Sequence, residues 1–274
     1  MGRSLDLVKS LAFRWLPRPA LTFIRTRHYY NVFSASTSAE ELDRAVAVEL
    51  VDPGQTVVDV GANIGVYTHD LSRAVGPTGR VISLEPVPET FHYLTYNVRR
   101  AGLTNVVPLQ IAASDRTADV VMHIPRKKTG VEFLYRARID PPSAPSDNSE
   151  WSSQVRDVTT KARRLDDVLA KQGPVSFMKC DVEGHELECI AGAMQMIRRD
   201  TPAMLIEVSG RLSDPASKAY KLTQMLSPMY SVWERVDKCV KRIKQEPFDC
   251  NVFFLNAVHE KRLRNAGWIQ DDEA

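Results

Sequence analysis

"VVDVGANIGVYT", residues 57–68, runs through β-branched and apolar side chains to Val60 and then reaches Gly61 and Gly65, set around a small residue and an asparagine. This is the pattern of a buried strand ending in a turn that only small side chains can line. A Gly-rich turn between a strand and a helix lets the backbone pass close to a ligand, and the first peptide N–H groups of the helix point toward it.

The same alternation extends outward from this stretch. Helix-period residues cover Ala39 to Val51, and Asp52-Pro53-Gly54 stops them before the strand Thr56 to Val60. Helix Ile64 to Val75, strand Arg80 to Leu84, helix Pro88 to Arg100 and strands near Val106 to Ile111 and Val120 to Ile124 follow. Between Pro125 and Ser153 the periodicity dissolves into basic residues, prolines and a Ser/Asp/Asn cluster, which reads as a long loop that is either functional, such as a lid, or mobile. Alternation resumes with a short strand near Val158, helix Leu165 to Ala170, strand Val175 to Cys180, helix Glu186 to Arg199, strand Ala203 to Val208 and helix Pro215 to Leu226. Met229 to Val236 and Asn251 to Leu255 read as a closing hairpin with a basic connection at Lys238 to Lys244.

Strands separated by helices imply an α/β fold with a parallel sheet, right-handed crossovers and helices on both faces. We expect residues 1–50 to form an N-terminal helical extension and residues 51–274 one domain, with an irregular insertion at about 125–154. A chain of 274 residues with 43% hydrophobic and 26% charged residues supports such a core. Thirty-six basic against thirty-four acidic side chains, a formal charge of +2, give no bulk electrostatic case for nucleic acid or membrane. Four cysteines without C-x-x-C spacing fit a reduced, cytoplasmic protein. Leu5, Val8, Ala12 and Trp15 share a helical face beside Arg3, Lys9, Arg14 and Arg18. This pattern suits packing on the domain, with weak peripheral membrane contact as the lesser expectation.

Ligands of parallel sheets bind outside the carboxyl ends of the strands. Asp59 ends the first strand, and Glu85 ends the second, where a carboxylate can accept both hydroxyls of a ribose. The turn lacks the third glycine of a dinucleotide site, and an acid before it repels phosphate but suits an ammonium and a sulfonium. S-adenosylmethionine matches that sign.

"VVDVGANIGVYT", "VISLEPVPETFHYLTYNV", "AASD", "FMKCDVEGHELECIAGA", "MLIEVSG" and "NVFFL", in this order between Val57 and Leu255, resemble the signatures of the FkbM family of S-adenosylmethionine-dependent methyltransferases. The resemblance implies a Rossmann-like class I methyltransferase fold, a seven-stranded, mostly parallel sheet whose last strand is antiparallel. It also implies methyl transfer to an oxygen, commonly a hydroxyl of a sugar, glycan or natural-product small molecule. By the same resemblance Gly61, Ala62, Asn63 and Gly65 approach the methionine moiety, Asp59 holds its ammonium directly or through water, Glu85 binds the ribose, and Ala113 and Ser114 border the adenine.

The chemistry is expected at "CDVEGHE", residues 180–186, where Asp181, Glu183 and His185 crowd one strand end. Methyl transfer requires alignment of donor and acceptor and removal of a hydroxyl proton. His185 in a helix's first turn would stay neutral and accept a proton, while Asp181 or Glu183 could instead be the base or orient the histidine. Glu207 ends the next strand at the same edge, and with Asp181 and Glu183 would offer oxygen ligands to Mg²⁺, which is the less favoured use. No Cys/His cluster has zinc spacing, and Cys180 reads as core.

Two other functions compete. A nucleic-acid methyltransferase would use Arg126, Lys127, Lys128, Arg136 and Arg138 on phosphates. Asp140-Pro141-Pro142 approaches an amine-methylating tetrad, but Ser143 replaces its aromatic residue and the tract follows no strand. A cofactor-binding scaffold without turnover is opposed by the intact acidic set.

Overall fold

The computed structural model describes residues 18–35, 42–128, 132–139, 151–208, 210–243 and 250–270. The helical face of Leu5, Val8, Ala12 and Trp15, Asp140-Pro141-Pro142 and about half of the segment read as an insertion lie outside the described residues.

Two helices, α1 (Arg18–Ala35) and α2 (Leu42–Glu49), precede β1 (Thr56–Val60). The chain then runs through α3 (Val66–Val75), β2 (Arg80–Leu84), α4 (Pro88–Arg100), β3 (Val106–Leu109), β4 (Ala112–Ala113), β5 (Ala118–Lys127), a short 3-10 turn at Leu134–Arg136 and β6 (Trp151–Arg163). It continues with α5 (Leu165–Leu169), β7 (Val175–Cys180), α6 (Glu186–Ala191), α7 (Met194–Asp200), β8 (Ala203–Val208), α8 (Lys218–Leu226), β9 (Ser231–Val236), β10 (Cys239–Arg242), β11 (Cys250–Leu255) and α9 (Ala257–Asn265).

The main sheet has eight strands in the order β10-β9-β11-β8-β7-β1-β2-β3. Strands β3, β2, β1, β7 and β8 are parallel, and β11 inserts antiparallel between β8 and β9. The expected antiparallel final strand is therefore present, and β10 adds one strand to the expected seven. That strand is the segment read as a basic connection; its Lys241 and Arg242 are exposed on the sheet edge, where charge discourages pairing with another chain.

Central strands are apolar on both faces because helices cover both. Val57, Val81, Phe177, Leu205 and Phe253 pack in one layer, and Val58, Ile82, Met178, Met204 and Phe254 in the other. Successive side chains alternate between the layers, so Asp59 lies on the Val57 side and Lys179 on the Phe177 side. In register, Ser83 is opposite Asp59, and Asp59 is opposite Lys179, a polar row embedded in the first layer.

Three expectations need correction. The stretch around Pro125 to Ser153 is bordered by strand on both sides, because β5 extends to Lys127 and β6 begins at Trp151, pairing antiparallel in a second sheet of order β4-β6-β5. Its apolar support is a small cluster of Val87, Met122, Ile124 and Ala137, too sparse to imprint an alternation on residues as polar as Arg156, Thr159 and Lys161. The single helix expected from Glu186 to Arg199 is two helices. Gly192 separates them, and a Cβ there would lie 1.9 Å from the Ser114 carbonyl oxygen, so the chains meet backbone to backbone. Finally α9, capped by the Asn256 side chain accepting from the N–H groups of Val258 and His259, was not anticipated.

Among the described residues no helix is long and apolar enough to cross a membrane. Helix α1 lies against α4, with the Tyr29 and Tyr93 ring centroids 4.6 Å apart and Phe33 buried beside His69.

Candidate active site

A cavity of about 370 Å³ opens at the carboxyl ends of β1, β2 and β7. Gly61, Ala62 and Asn63 form its floor, Glu85 one wall, and Lys179, Asp181, Glu183 and His185 another. Val87, Ala112, Ala113 and Met122 supply an apolar side, and Leu134, Tyr135 and Ala137 from the 3-10 turn lie across it.

The glycine turn serves the protein's own packing before any ligand's. Gly61 has φ +75°, and a Cβ on it would lie 1.8 Å from the Asp181 carbonyl oxygen. Gly65, at φ +96°, would bring a Cβ to 2.8 Å from a Leu94 methyl. Asn63 is also left-handed, at φ +52°. The N–H groups of Gly61 and Ala62 both donate to Leu84 O, that of Gly65 to Ala62 O, and that of Asn63 to Glu85 Oε2 at 3.0 Å. These four amides of the turn are thus taken up internally and do not themselves form a cradle of donors for a ligand.

Glu85 accepts a second bond at Oε1 from the Val87 N–H, at 3.0 Å. Burial pushes its carboxyl up to about 7 against these bonds. Asp59 is fully buried and does not line the cavity. Its Oδ2 accepts from Thr68 Oγ1 at 2.6 Å, its Oδ1 has no partner, and burial raises its pKa despite nearby Lys179. Its place is therefore beneath the turn, one layer below the cavity wall.

Lys179 is the site residue that the sequence reading missed. Its Nζ donates to Asp181 Oδ2 at 2.9 Å and lies 3.4 Å from Gly61 O and 5.0 Å from the Tyr67 ring centroid. The clue was a lysine inside the otherwise apolar run "VSFMKC" of a strand buried on both faces, where a charge needs a partner. Burial would lower the lysine pKa, but Asp181 and Asp59 hold it above its ordinary value.

One step beyond the paired residues Cys180 and Ile206, the register sets Asp181 beside Glu207. Carboxylate oxygens of Asp181, Glu183 and Glu207 all lie within 4.8 Å of one another. Burial alone would raise the Asp181 pKa, but Lys179 and a hydrogen bond from Glu207 bring it below the usual range. Glu207 is pushed up to about 8, first by burial and then by Asp181, so near neutral pH it carries the proton of the pair. Burial and Asp181 likewise raise Glu183, with Arg138 opposing at 3.6 Å. The three acids would present oxygen ligands to a hard cation, but Lys179 and the Glu207 proton already offset their charge.

The proton on Glu207 makes stability pH-dependent. The unfolded carboxyl releases it near 4.5 and the folded one near 8, so stability is unaffected below the first value and falls as pH rises between the two. Glu207→Gln is expected to melt closer to the same temperature at pH 5 and pH 9 than the native protein does. A thermal unfolding series showing the same pH slope in both would refute the assignment.

Glu183 sits at φ +56° and is followed by Gly184 at +97°. This left-handed pair is held by Glu186, whose Oε1 accepts from the N–H groups of Val182 and Gly184 at 3.1 and 3.0 Å. A non-glycine residue in that region is under strain, a feature that clusters at functional sites. His185 precedes α6 rather than lying in its first turn, with Nε2 3.0 Å from Ser114 Oγ and Nδ1 3.5 Å from Glu188 Oε2. Both ring nitrogens face protein groups. Ala113 lines the cavity, whereas Ser114 lies behind it and holds the histidine.

A family model described as the methyltransferase FkbM domain matches residues 59–235, more than half of the chain. The chain belongs to the FkbM methyltransferase family. Among relatives of this FkbM protein, the hexuronic acid methyltransferase AglP of Haloferax volcanii is 29% identical over 148 residues, covering 53% of this chain and 52% of that one. A protein-L-isoaspartate O-methyltransferase of Aeropyrum pernix is 34% identical over 80 residues, 28% of this chain and 30% of that one. The FkbM chain thus spans about half or less of the length of these curated relatives. The crystal structure of the methyltransferase FkbM from Methylobacillus flagellatus KT superposes with a TM-score of 0.48 at 19% identity, covering 75% of this chain and 45% of that one.

Proposed function

We propose that this FkbM protein transfers a methyl group from S-adenosylmethionine to an oxygen, a hydroxyl of a sugar, glycan or natural-product small molecule. The observation that carries the reading is a strand-end cavity combining Glu85 on one side with the acidic cluster of Asp181 and Glu183 on the other. The residues fit the cofactor. Glu85 would take the ribose hydroxyls, the apolar side at Val87, Ala112 and Ala113 the adenine, and Asp181, held ionised, would complement the cationic end. When bound, the cofactor supplies an electrophilic methyl on a cationic sulfur.

The chain's own residues divide the remaining work. Asp181 is a poor base, since Lys179 and Glu207 both donate to it; it anchors the wall of the site. Glu183 lines the cavity with a raised pKa and is the acceptor for the substrate hydroxyl proton. His185, held from both sides, positions the turn.

Small acceptors are supported by how three arginines of β5, β6 and the segment after the 3-10 turn are used. Arg126 and Arg156 both bond to Glu132, Arg156 also reaches Glu89, and Arg138 faces Glu183. Side chains so committed do not form a phosphate-tracking array. The sugar is favoured among small molecules by the hexuronic acid substrate in the name of AglP.

The test is transfer of radiolabelled methyl from the cofactor to small glycosides and host glycan extracts, with mass spectrometry of the product. The expected product is an O-methyl glycan or small molecule. Label found in RNA or protein instead would contradict the reading.

A further inference from the structure

The residue Gly184, directly after Glu183, is gripped at both its polar groups. Its N–H donates to Glu186 Oε1 at 3.0 Å, and its carbonyl oxygen accepts from Lys218 Nζ at 2.9 Å. The first grip comes from the start of α6, the second from α8, which Ala219, Leu222 and Leu226 anchor in the core. A Cβ on Gly184 would meet nothing within 4 Å, so the glycine answers to its φ of +97° and not to crowding.

Lys218 stands where a lysine is otherwise out of place. It is the first residue of α8, and a cation there opposes the helix dipole in a first turn that carries no acid to offset it. Its ammonium contacts Glu188 Oε1 at 3.0 Å as well as Gly184 O, and Glu188 Oε2 lies 3.5 Å from His185 Nδ1. Lys218 does not line the cavity, so any effect it has on the chemistry passes through the turn.

We infer that Lys218 is a positioning residue, which holds the Gly184 carbonyl and through it the aim of the Glu183 carboxylate. The inference rests on the role given to Glu183 in the methyltransferase reading. Glu183, at φ +56°, lies in a region that strains an L-residue, and a charge-assisted hydrogen bond to the next residue opposes relaxation out of it. A base must stay within hydrogen-bond reach of the proton it takes, so a small displacement lowers turnover while the cofactor's own contacts persist.

The test compares the native full chain with Lys218→Met, which removes the donor, and Lys218→Arg, which keeps the charge and a donor. In Lys218→Met the Gly184 amide hydrogen, followed by NMR, is expected to exchange about tenfold to hundredfold faster, as for one lost charge-assisted hydrogen bond, while amides of β7 and β8 exchange as before. S-adenosylhomocysteine is expected to bind all three proteins equally by calorimetry. On the acceptor found by the methyl-transfer screen, kcat of Lys218→Met is expected to fall by a similar factor with KM little changed, and Lys218→Arg to recover most of the loss. A residue that only stabilises the fold would lower the melting temperature of Lys218→Met and leave kcat native, and that result overturns the inference. So does Gly184 exchange at the native rate, or a Lys218→Arg enzyme as slow as Lys218→Met; each of these leaves the methyltransferase reading standing. Failure of S-adenosylhomocysteine to bind the native protein removes that reading and this inference with it.

Discussion

Glu183→Gln is expected to lower kcat by about 10²–10⁴-fold, the range for loss of a general base, while leaving the affinity for S-adenosylmethionine unchanged. The expectation follows from position and environment together. Glu183 lines the cavity, its carboxyl is raised by burial and by Asp181, and its backbone is held in a left-handed conformation by the Glu186 carboxylate. Glutamine keeps the shape and removes the proton acceptor. The comparison with Asp181→Asn separates roles: Asp181 bonds to Lys179, so its replacement leaves a buried ammonium without its carboxylate partner and is expected to disturb stability as well as turnover. Steady-state kinetics paired with calorimetry decides between them. A Glu183→Gln enzyme retaining native kcat would transfer the base to another group.

Gly61→Ala is the second large effect. A left-handed backbone costs an L-residue about 1–2 kcal/mol, and forcing a methyl into a packed position adds about 1–3 kcal/mol. Here the methyl would meet the Asp181 carbonyl oxygen at 1.8 Å, a backbone atom that cannot swing aside. The variant is expected to lose about 2–5 kcal/mol in chemical denaturation and to bind cofactor less tightly, since β1 and β7 would have to part at the cavity floor. A loss under about 1 kcal/mol would show that the two strand ends are not in the contact described.

How much of this was legible in the sequence depends on what each signal reports. Strands Thr56–Val60, Arg80–Leu84, Val175–Cys180 and Ala203–Val208 stand where the apolar runs and their bounding turns placed them, because burial on both faces leaves continuous hydrophobic text. Strand β6 was read only as a short strand near Val158, its full length escaping because it belongs to a thin second sheet whose residues are mostly polar, and β10 escaped because an edge strand can be as charged as a loop. The break at Gly192 depends on the carbonyl of Ser114, a neighbour distant in sequence that no local pattern carries.

The site shows the same division. Asp181, Glu183 and Glu207 converge as their strand ends suggested. Asp59 reads as a ligand-facing acid until the alternation of β1 is followed, which turns it under α3 toward Thr68. Lys179 was visible as a charge in a buried strand, and its consequence for Asp181 emerges only from the 2.9 Å contact between them.

The central claim, that S-adenosylmethionine occupies the strand-end cavity with its ribose on Glu85, is most directly tested by calorimetric titration of the cofactor into the native protein and Glu85→Ala. The account predicts binding to the native chain and an affinity at least about tenfold weaker in the variant, the value of one charge-assisted hydrogen bond. Equal affinity in both proteins, or no binding to the native one, would contradict it.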